Sequence, residues 1–167
     1  PLPELTVNNP AASCGDPVSI VQSGDGTFKY YTNDQLSVLV TDPTKVGNGT
    51  YYVTKTDGNG CVSEAKAVTT TVHPLPTPKI AVKNPTSGGS EFCAGMELTL
   101  QCDNASYKTY TWSGGDAIAN KWERKAVIVA GTENKYSLTV VDNNNCSGTS
   151  NELAFTGKAA PTVTIDP

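Results

Sequence analysis

The sequence predicts an all-β chain built as two small β-sandwich domains in tandem, and three observations carry that prediction. First, the segment Pro3-Glu-Leu-Thr-Val-Asn-Asn-Pro10 returns as Pro78-Lys-Ile-Ala-Val-Lys-Asn-Pro85 and begins again as Pro161-Thr-Val-Thr-Ile-Asp-Pro167. The spacings, 75 and 83 residues, suit a small sandwich and are too long for a solenoid unit. Second, Thr and Val are abundant and helix formers sparse. Third, 15 Gly and 11 Pro cut the chain into short apolar runs, as turns between strands do. The repeats are expected at 1–76 and 77–157, with 158–167 opening a third copy. The chain therefore reads as a piece of a longer array.

In the first repeat the strand signals fall at Leu5–Val7, Val18–Val21, Phe28–Thr32, Leu36–Val40, Thr50–Thr56 and Ala67–Val72. In the second they fall at Lys79–Lys83, Met96–Cys102, Tyr107–Trp112, Lys125–Ala130, Lys135–Val141 and Glu152–Thr156. Turn residues separate these runs: Gly88-Gly89, Gly114-Gly115-Asp116, Gly131 and Asn143-Asn144-Asn145. The copies agree best where Thr50–Cys61 aligns with Lys135–Cys146. Alternation there turns Tyr51 and Val53, then Tyr136, Leu138 and Val140, inward. Asn59-Gly60 suits a tight hairpin between antiparallel strands. Val72-His73-Pro74-Leu75-Pro76-Thr77-Pro78 reads as a short, stiff linker, because each proline fixes φ and extends the residue before it.

Composition narrows the function. Twelve Lys+Arg against 16 Asp+Glu give a net charge of −4, and the basic residues are scattered. That argues against nucleic acid or an anionic membrane as partner. No apolar run approaches the ~20 residues of a membrane span, and no signal peptide is evident. The five cysteines, Cys14, Cys61, Cys93, Cys102 and Cys146, lack the close pairing of a zinc site. Four recur in register. Cys14 and Cys93 precede a Gly and a strand-like run, whereas Cys61 and Cys146 close Asp/Asn/Gly turns. Such recurrence points to disulfides and an oxidising compartment. Cys102 alternates onto one face with Met96, Leu98 and Leu100 and reads as a core thiol.

These features together, Cys14-Gly15, Gly49-Thr50-Tyr51, Asp57-Gly58-Asn59-Gly60-Cys61 and a Pro-x-Pro junction, resemble a family. So do Cys93-Ala94-Gly95, Tyr110-Thr111-Trp112 and Asp142 through Cys146. The pattern is similar to the Ig-like repeats of giant Bacteroidetes cell-surface adhesins, such as the SprB-type gliding-motility adhesin and other type IX secretion cargo. It departs from that pattern at Asn145, where Gly is usual, and in the missing Trp of the first copy's aromatic strand. The resemblance implies two tandem Ig-like sandwiches in a head-to-tail array, exported to the cell surface and held there by other parts of the protein. It implies a non-catalytic, stiff spacer whose partners are neighbouring repeats. Two domains in line would span roughly 70–80 Å, at about 3.3 Å per strand residue plus end loops.

Candidate sites are few. The lone His73 has no nucleophile motif beside it, so no catalytic residue is assigned. Asp57 and Asp142 head oxygen-rich turns and are weak calcium candidates; otherwise no cofactor is expected. Tyr30, Tyr31, Tyr107, Tyr110, Trp112 and Trp122 are candidates for stacking on an extracellular glycan, with Trp112 favoured as core. A glycan- or surface-binding module, or accessory domains of a secreted hydrolase, are the alternative functions. For the cysteines two pairings compete. Repeat logic gives Cys14–Cys61 and Cys93–Cys146. In an Ig-like topology those partners lie at opposite ends of a sandwich, which favours Cys14–Cys146 and leaves Cys61 and Cys93 for neighbours.

Overall fold

The computed structural model describes residues 1–84, 91–114, 118–131 and 133–159, without the side chains of 133–134. The expected third-repeat opening at Pro161–Pro167 and the turn residues Gly88, Gly89, Gly115 and Asp116 lie outside them. Among the described residues every element is a strand or a turn, and no helix is long and apolar enough to cross a membrane. The chain divides into two compact units, Pro1–Pro74 and Leu75–Pro167. Every described strand pairs within its own unit. The protein is thus all-β, with two Ig-like sandwich units in tandem along the chain.

The first unit holds β1 (Ser13–Cys14), β2 (Thr27–Tyr31), β3 (Gly49–Thr56), β4 (Lys66–Thr70) and β5 (Val72–His73). Strands β2-β3-β4 form an antiparallel sheet, and β1 pairs parallel with β5. The core gathers Leu5, Ile20, Tyr30, Val46, Val53 and Val68. Three expected strands are corrected here. Leu5–Val7 is not a ladder strand, although Leu5 is buried. Its neighbour Asn8 is held by the Gln22 side chain, whose Oε1 accepts from the Asn8 N–H at 2.8 Å. Val18–Val21 contributes only an isolated bridge, Val18 to Val46. Leu36–Val40 opens as a turn instead, with Leu36 at φ 56° and the Asn33 Oδ1 accepting from the N–H groups of Ser37 and Val38. An Asx carboxamide has captured the donors a ladder would have used. His73, expected in the linker, sits half-buried in β5, where its carbonyl accepts from the Gly15 N–H.

The second unit comprises β6 (Ile80–Asn84), β7 (Glu91–Cys93), β8 (Glu97–Cys102), β9 (Thr109–Ser113), β10 (Ile118–Ala119), β11 (Lys125–Val129), β12 (Glu133–Val141), β13 (Ser147–Thr149) and β14 (Leu153–Lys158). One sheet runs β10-β11-β8-β6. The other is organised on the long β12, which pairs with β9, β13 and β14, while β7 adds parallel to β14. Period-2 alternation fills the space between the sheets, as inward residues must lose water contact for the fold to hold. Leu98, Leu100, Cys102, Ala126 and Ile128 meet Phe92, Trp112, Tyr136, Leu138, Val140 and Phe155. Phe155 stacks edge-on against Phe92, ring centroids 5.4 Å apart.

Gly148 in β13 has a specific task. A Cβ built there would collide with the Pro76 carbonyl oxygen, so only glycine lets this backbone pass so close. Replacing it (Gly148→Ala) is expected to cost about 1–3 kcal/mol through local overpacking. Hydrogen exchange should show the loss concentrated in β13 and its partner segment of β12. Unchanged denaturation and exchange would refute the tight seat.

Candidate functional site: the entry and turn cysteines

Both units build the same two cysteine settings from the same backbone devices. In the turn setting, Asp57 heads a tight turn in which the Gly60 N–H reaches the Asp57 carbonyl at 3.1 Å. The Asp57 N–H then donates to the Cys61 carbonyl at 3.0 Å. Asp57 Oδ1 accepts from the N–H groups of Asn59 and Cys61, both at 2.9 Å. In the second unit the Asn145 N–H donates to Asp142 O at 3.1 Å, and the Asp142 N–H to Cys146 O at 2.9 Å. Asp142 Oδ1 accepts from Asn144 and Cys146 at 2.9 and 2.8 Å. Gly60 and Asn145 occupy the left-handed position at φ 84° and 63°. Asn tolerates that conformation, which explains its use where the pattern has Gly. Lys108 Nζ additionally donates to the Asn145 Oδ1 at 2.7 Å.

The carboxylates of Asp57 and Asp142 therefore serve their own turns through Oδ1, which accounts for the recurrence of Asp at this place in each unit. Among the described residues no group of three or more His, Cys, Asp or Glu could hold a metal ion. Each turn should lose about 1–2 kcal/mol on Asp→Ala, since two backbone donors lose a charged acceptor. For Asp142→Ala, urea denaturation should show that loss in the second unit, and calcium should change neither protein's midpoint. A calcium-dependent shift would instead speak for a cation at these turns.

The entry setting is equally matched. Cys14 ends β1 opposite His73 of β5, and Cys93 ends β7 opposite Lys158 of β14, both in parallel pairing. The following peptides close the same way: the Gly15 N–H donates to His73 O and the Ala94 N–H to Lys158 O, each at 2.8 Å. A glycine with positive φ ends each strand, Gly15 at 75° and Gly95 at 85°.

Cys14 and Cys146 are each disulfide-bonded, whereas Cys61, Cys93 and Cys102 are free. Same-repeat bridges, Cys14–Cys61 and Cys93–Cys146, are not formed, and geometry within a unit explains why. Lys66 lies five residues after the Cys61 turn, and β4 carries the chain from there to β5, where Cys14 sits. The eight residues Lys66–His73 cover roughly 26 Å at about 3.3 Å each, against the ~7 Å limit between bridged Cα atoms. Cys61 and Cys93 are exposed thiols. Cys102 is fully buried, and burial pushes its thiol pKa up, so it is a poor nucleophile.

Of the aromatic candidates, Trp112 is 0% exposed, with its Nε1–H on the Glu123 carbonyl at 2.7 Å. Tyr30 is buried, and its hydroxyl accepts from the Gln22 N–H. Tyr31 is half-buried at the end of β2. Tyr107 and Tyr110 pack edge to face, with the Tyr110 hydroxyl on the Asn104 carbonyl. Trp122 differs: it is 69% exposed, with Lys121 Nζ 5.5 Å from its ring centroid.

No family model and no curated protein matches the chain. Among solved structures it is similar to the fibronectin(III)-like modules of Clostridium thermocellum CbhA, at 15% identity over 97% of this chain and 98% of that one, with a TM-score of 0.39. It is also similar to extracellular domains 3–5 of Drosophila OTK, at 14% identity over 94% of this chain and 63% of that one, TM-score 0.43. The titin Ig tandem A164–A165 is a third, at 11% identity over 89% and 93%, TM-score 0.31.

Proposed function

We propose that this chain is a non-catalytic spacer pair in a secreted cell-surface adhesin or filament, of the gliding-motility type exported by type IX secretion that its repeat pattern resembles. One observation carries the reading: both units repeat the same entry and turn settings on the same backbone hydrogen bonds, as the modules of an array do. Disulfide-bonded Cys14 and Cys146 suit a chain that works outside the reducing cytosol. Repetition of a self-contained, separately cored module is a mechanical property, useful in a shaft.

Single-molecule force extension tests it. The two units, each with its own core, should yield as two separate steps. A single step that takes both units together, or no resistance to force in either, would defeat the spacer reading. A second reading, contact with an extracellular glycan, rests on the exposed Trp122. Titration with soluble glycans should then quench the Trp122 emission, and Trp122→Ala should abolish the response.

A further inference from the structure

Sheet edges are the hazard of an all-β molecule, because an outer strand offers unpaired N–H and C=O groups to any other chain. Among the described residues most edges are blunted. Beside β4, the Thr69 N–H is taken by the Asn9 Oδ1 at 2.9 Å. β6 carries Lys83 and a bulge between Val82 and Asn84. β7, β10 and β13 are only two or three residues long. The segment Ser37–Thr41, which lies outside β2 in the first unit, has none of these devices. Ser37-Val38-Leu39-Val40-Thr41 contains no charge, proline or glycine, and Val38 and Leu39 are 53% and 59% exposed.

The inner side of this segment is fixed to β2. The Thr32 N–H donates to the Val38 carbonyl at 2.9 Å and the Val40 N–H to the Tyr30 carbonyl at 2.8 Å, with Leu39 opposite Tyr31. In an antiparallel ladder, bonds on either side of such a pair turn the middle residue's own N–H and C=O the other way. The N–H and C=O groups of Leu39 and Thr41 therefore face outward, and they have no hydrogen-bond partner among the described residues.

We propose that Ser37–Thr41 is a pairing site for a second copy of this chain, the same segment of each copy joining antiparallel about a twofold axis at Leu39. Two observations choose this occupant. The free backbone groups are self-complementary: Leu39 exchanges both N–H···O=C bonds with its own counterpart, and each Thr41 N–H reaches the Ser37 carbonyl of the other copy. The flanking charges are complementary too. Asp34 precedes the segment and Lys45 follows it, both exposed. Antiparallel pairing sets the acid of one copy toward the base of the other, whereas parallel pairing would set like against like. The pairing also covers the exposed side chains, with Val38 beside Val40 of the second copy on one face and the two Leu39 residues together on the other. An edge this short buries little area, so the association is weak and reversible. It goes beyond the spacer reading and does not rest on it, since it joins copies side by side through the first unit alone.

The test uses the whole chain carrying Cys61→Ser and Cys93→Ser, so that no dimer forms through the exposed thiols. Sedimentation equilibrium should show dimers that grow with concentration, and adding Leu39→Lys should weaken them at least about tenfold. Hydrogen exchange needs no further substitution: the amides of Leu39 and Thr41 should slow as concentration rises. That measurement decides alone if Leu39→Lys disturbs the fold. For direction, Ser37→Cys and Thr41→Cys are made separately in the same background and mixed under oxidising conditions. The two variants should cross-link with each other faster than either does with itself, because Ser37 faces Thr41 of the other copy only in the antiparallel register. A protein that stays monomeric at about 1 mM, or a dimer indifferent to Leu39→Lys in a folded chain, would overturn the proposal. So would concentration-independent exchange at Leu39 and Thr41, or like-with-like cross-linking as fast as the mixed.

Discussion

Trp112→Ala is expected to destabilise the second unit by about 3–5 kcal/mol. The indole is wholly out of water, on β9 opposite Leu138 of β12, where it fills the space between the two sheets. Truncation removes that apolar area and leaves a cavity among Leu98, Leu100 and Ile128 side chains too short to close it. It also strands the Glu123 carbonyl, which loses its only described side-chain donor. A loss of this size is a large share of the ~5–15 kcal/mol that holds a typical domain. The first unit has no tryptophan and its own core, so its transition should stay in place. Trp122→Ala serves as the comparison: that ring is mostly in solvent, and its loss should fall within about ±0.5 kcal/mol. Fluorescence-detected denaturation distinguishes the two, because Trp112 reports a buried environment and Trp122 an exposed one. Equal effects of the two substitutions would mean that the core is not organised on Trp112.

The second unit was largely legible in the sequence because its strands alternate strongly and both of their faces are decided by burial. Glu97–Cys102, Lys125–Val129 and Tyr136–Val140 announce themselves by apolar residues every second position. The paired turns were legible too, since Asp-x-Asn-Gly and its Asp-Asn-Asn-Asn counterpart have a mechanism in the Asp side chain and the left-handed fourth residue. The entry strands were not. Ser13–Cys14 and Glu91–Cys93 are two and three residues long and owe their existence to parallel partners 59 and 65 residues away, Val72–His73 and Thr156–Lys158. No local periodicity can signal such a pairing. Their one sequence mark is the glycine that follows each cysteine. In the first unit, apolar runs at Leu5–Val7 and Leu36–Val40 looked like strands because burial and alternation are shared by any segment lying along a core. Polar side chains decided otherwise: Gln22 and Asn33 bond the backbones a ladder would have claimed. The sequence also left the cysteine pairing divided, because repeat logic and strand topology give different answers. Only the run of β4 from the Cys61 turn to the Cys14 strand separates them.

Loss of the disulfide-bonded state of Cys14 should be the other large effect, about 2–5 kcal/mol for a small domain. The loss should be felt in the first unit. Its core rests on Leu5, Ile20, Tyr30, Val46, Val53 and Val68, with Leu5, Ile20 and Val46 held in segments that carry no ladder. A loss of a few kcal/mol in a unit of this length lowers its Tm by roughly 4–8 °C per kcal/mol. Calorimetry of Cys14→Ser beside the oxidised and the reduced parent separates the bond from the side chain. If the bond matters, reduction of the parent should lower the first unit's transition as far as Cys14→Ser does. Cys61→Ser and Cys93→Ser, at exposed free thiols, should leave the transitions unmoved. A Cys14→Ser loss that persists in full against the reduced parent would mean that the stability comes from local packing of the side chain and not from its bond.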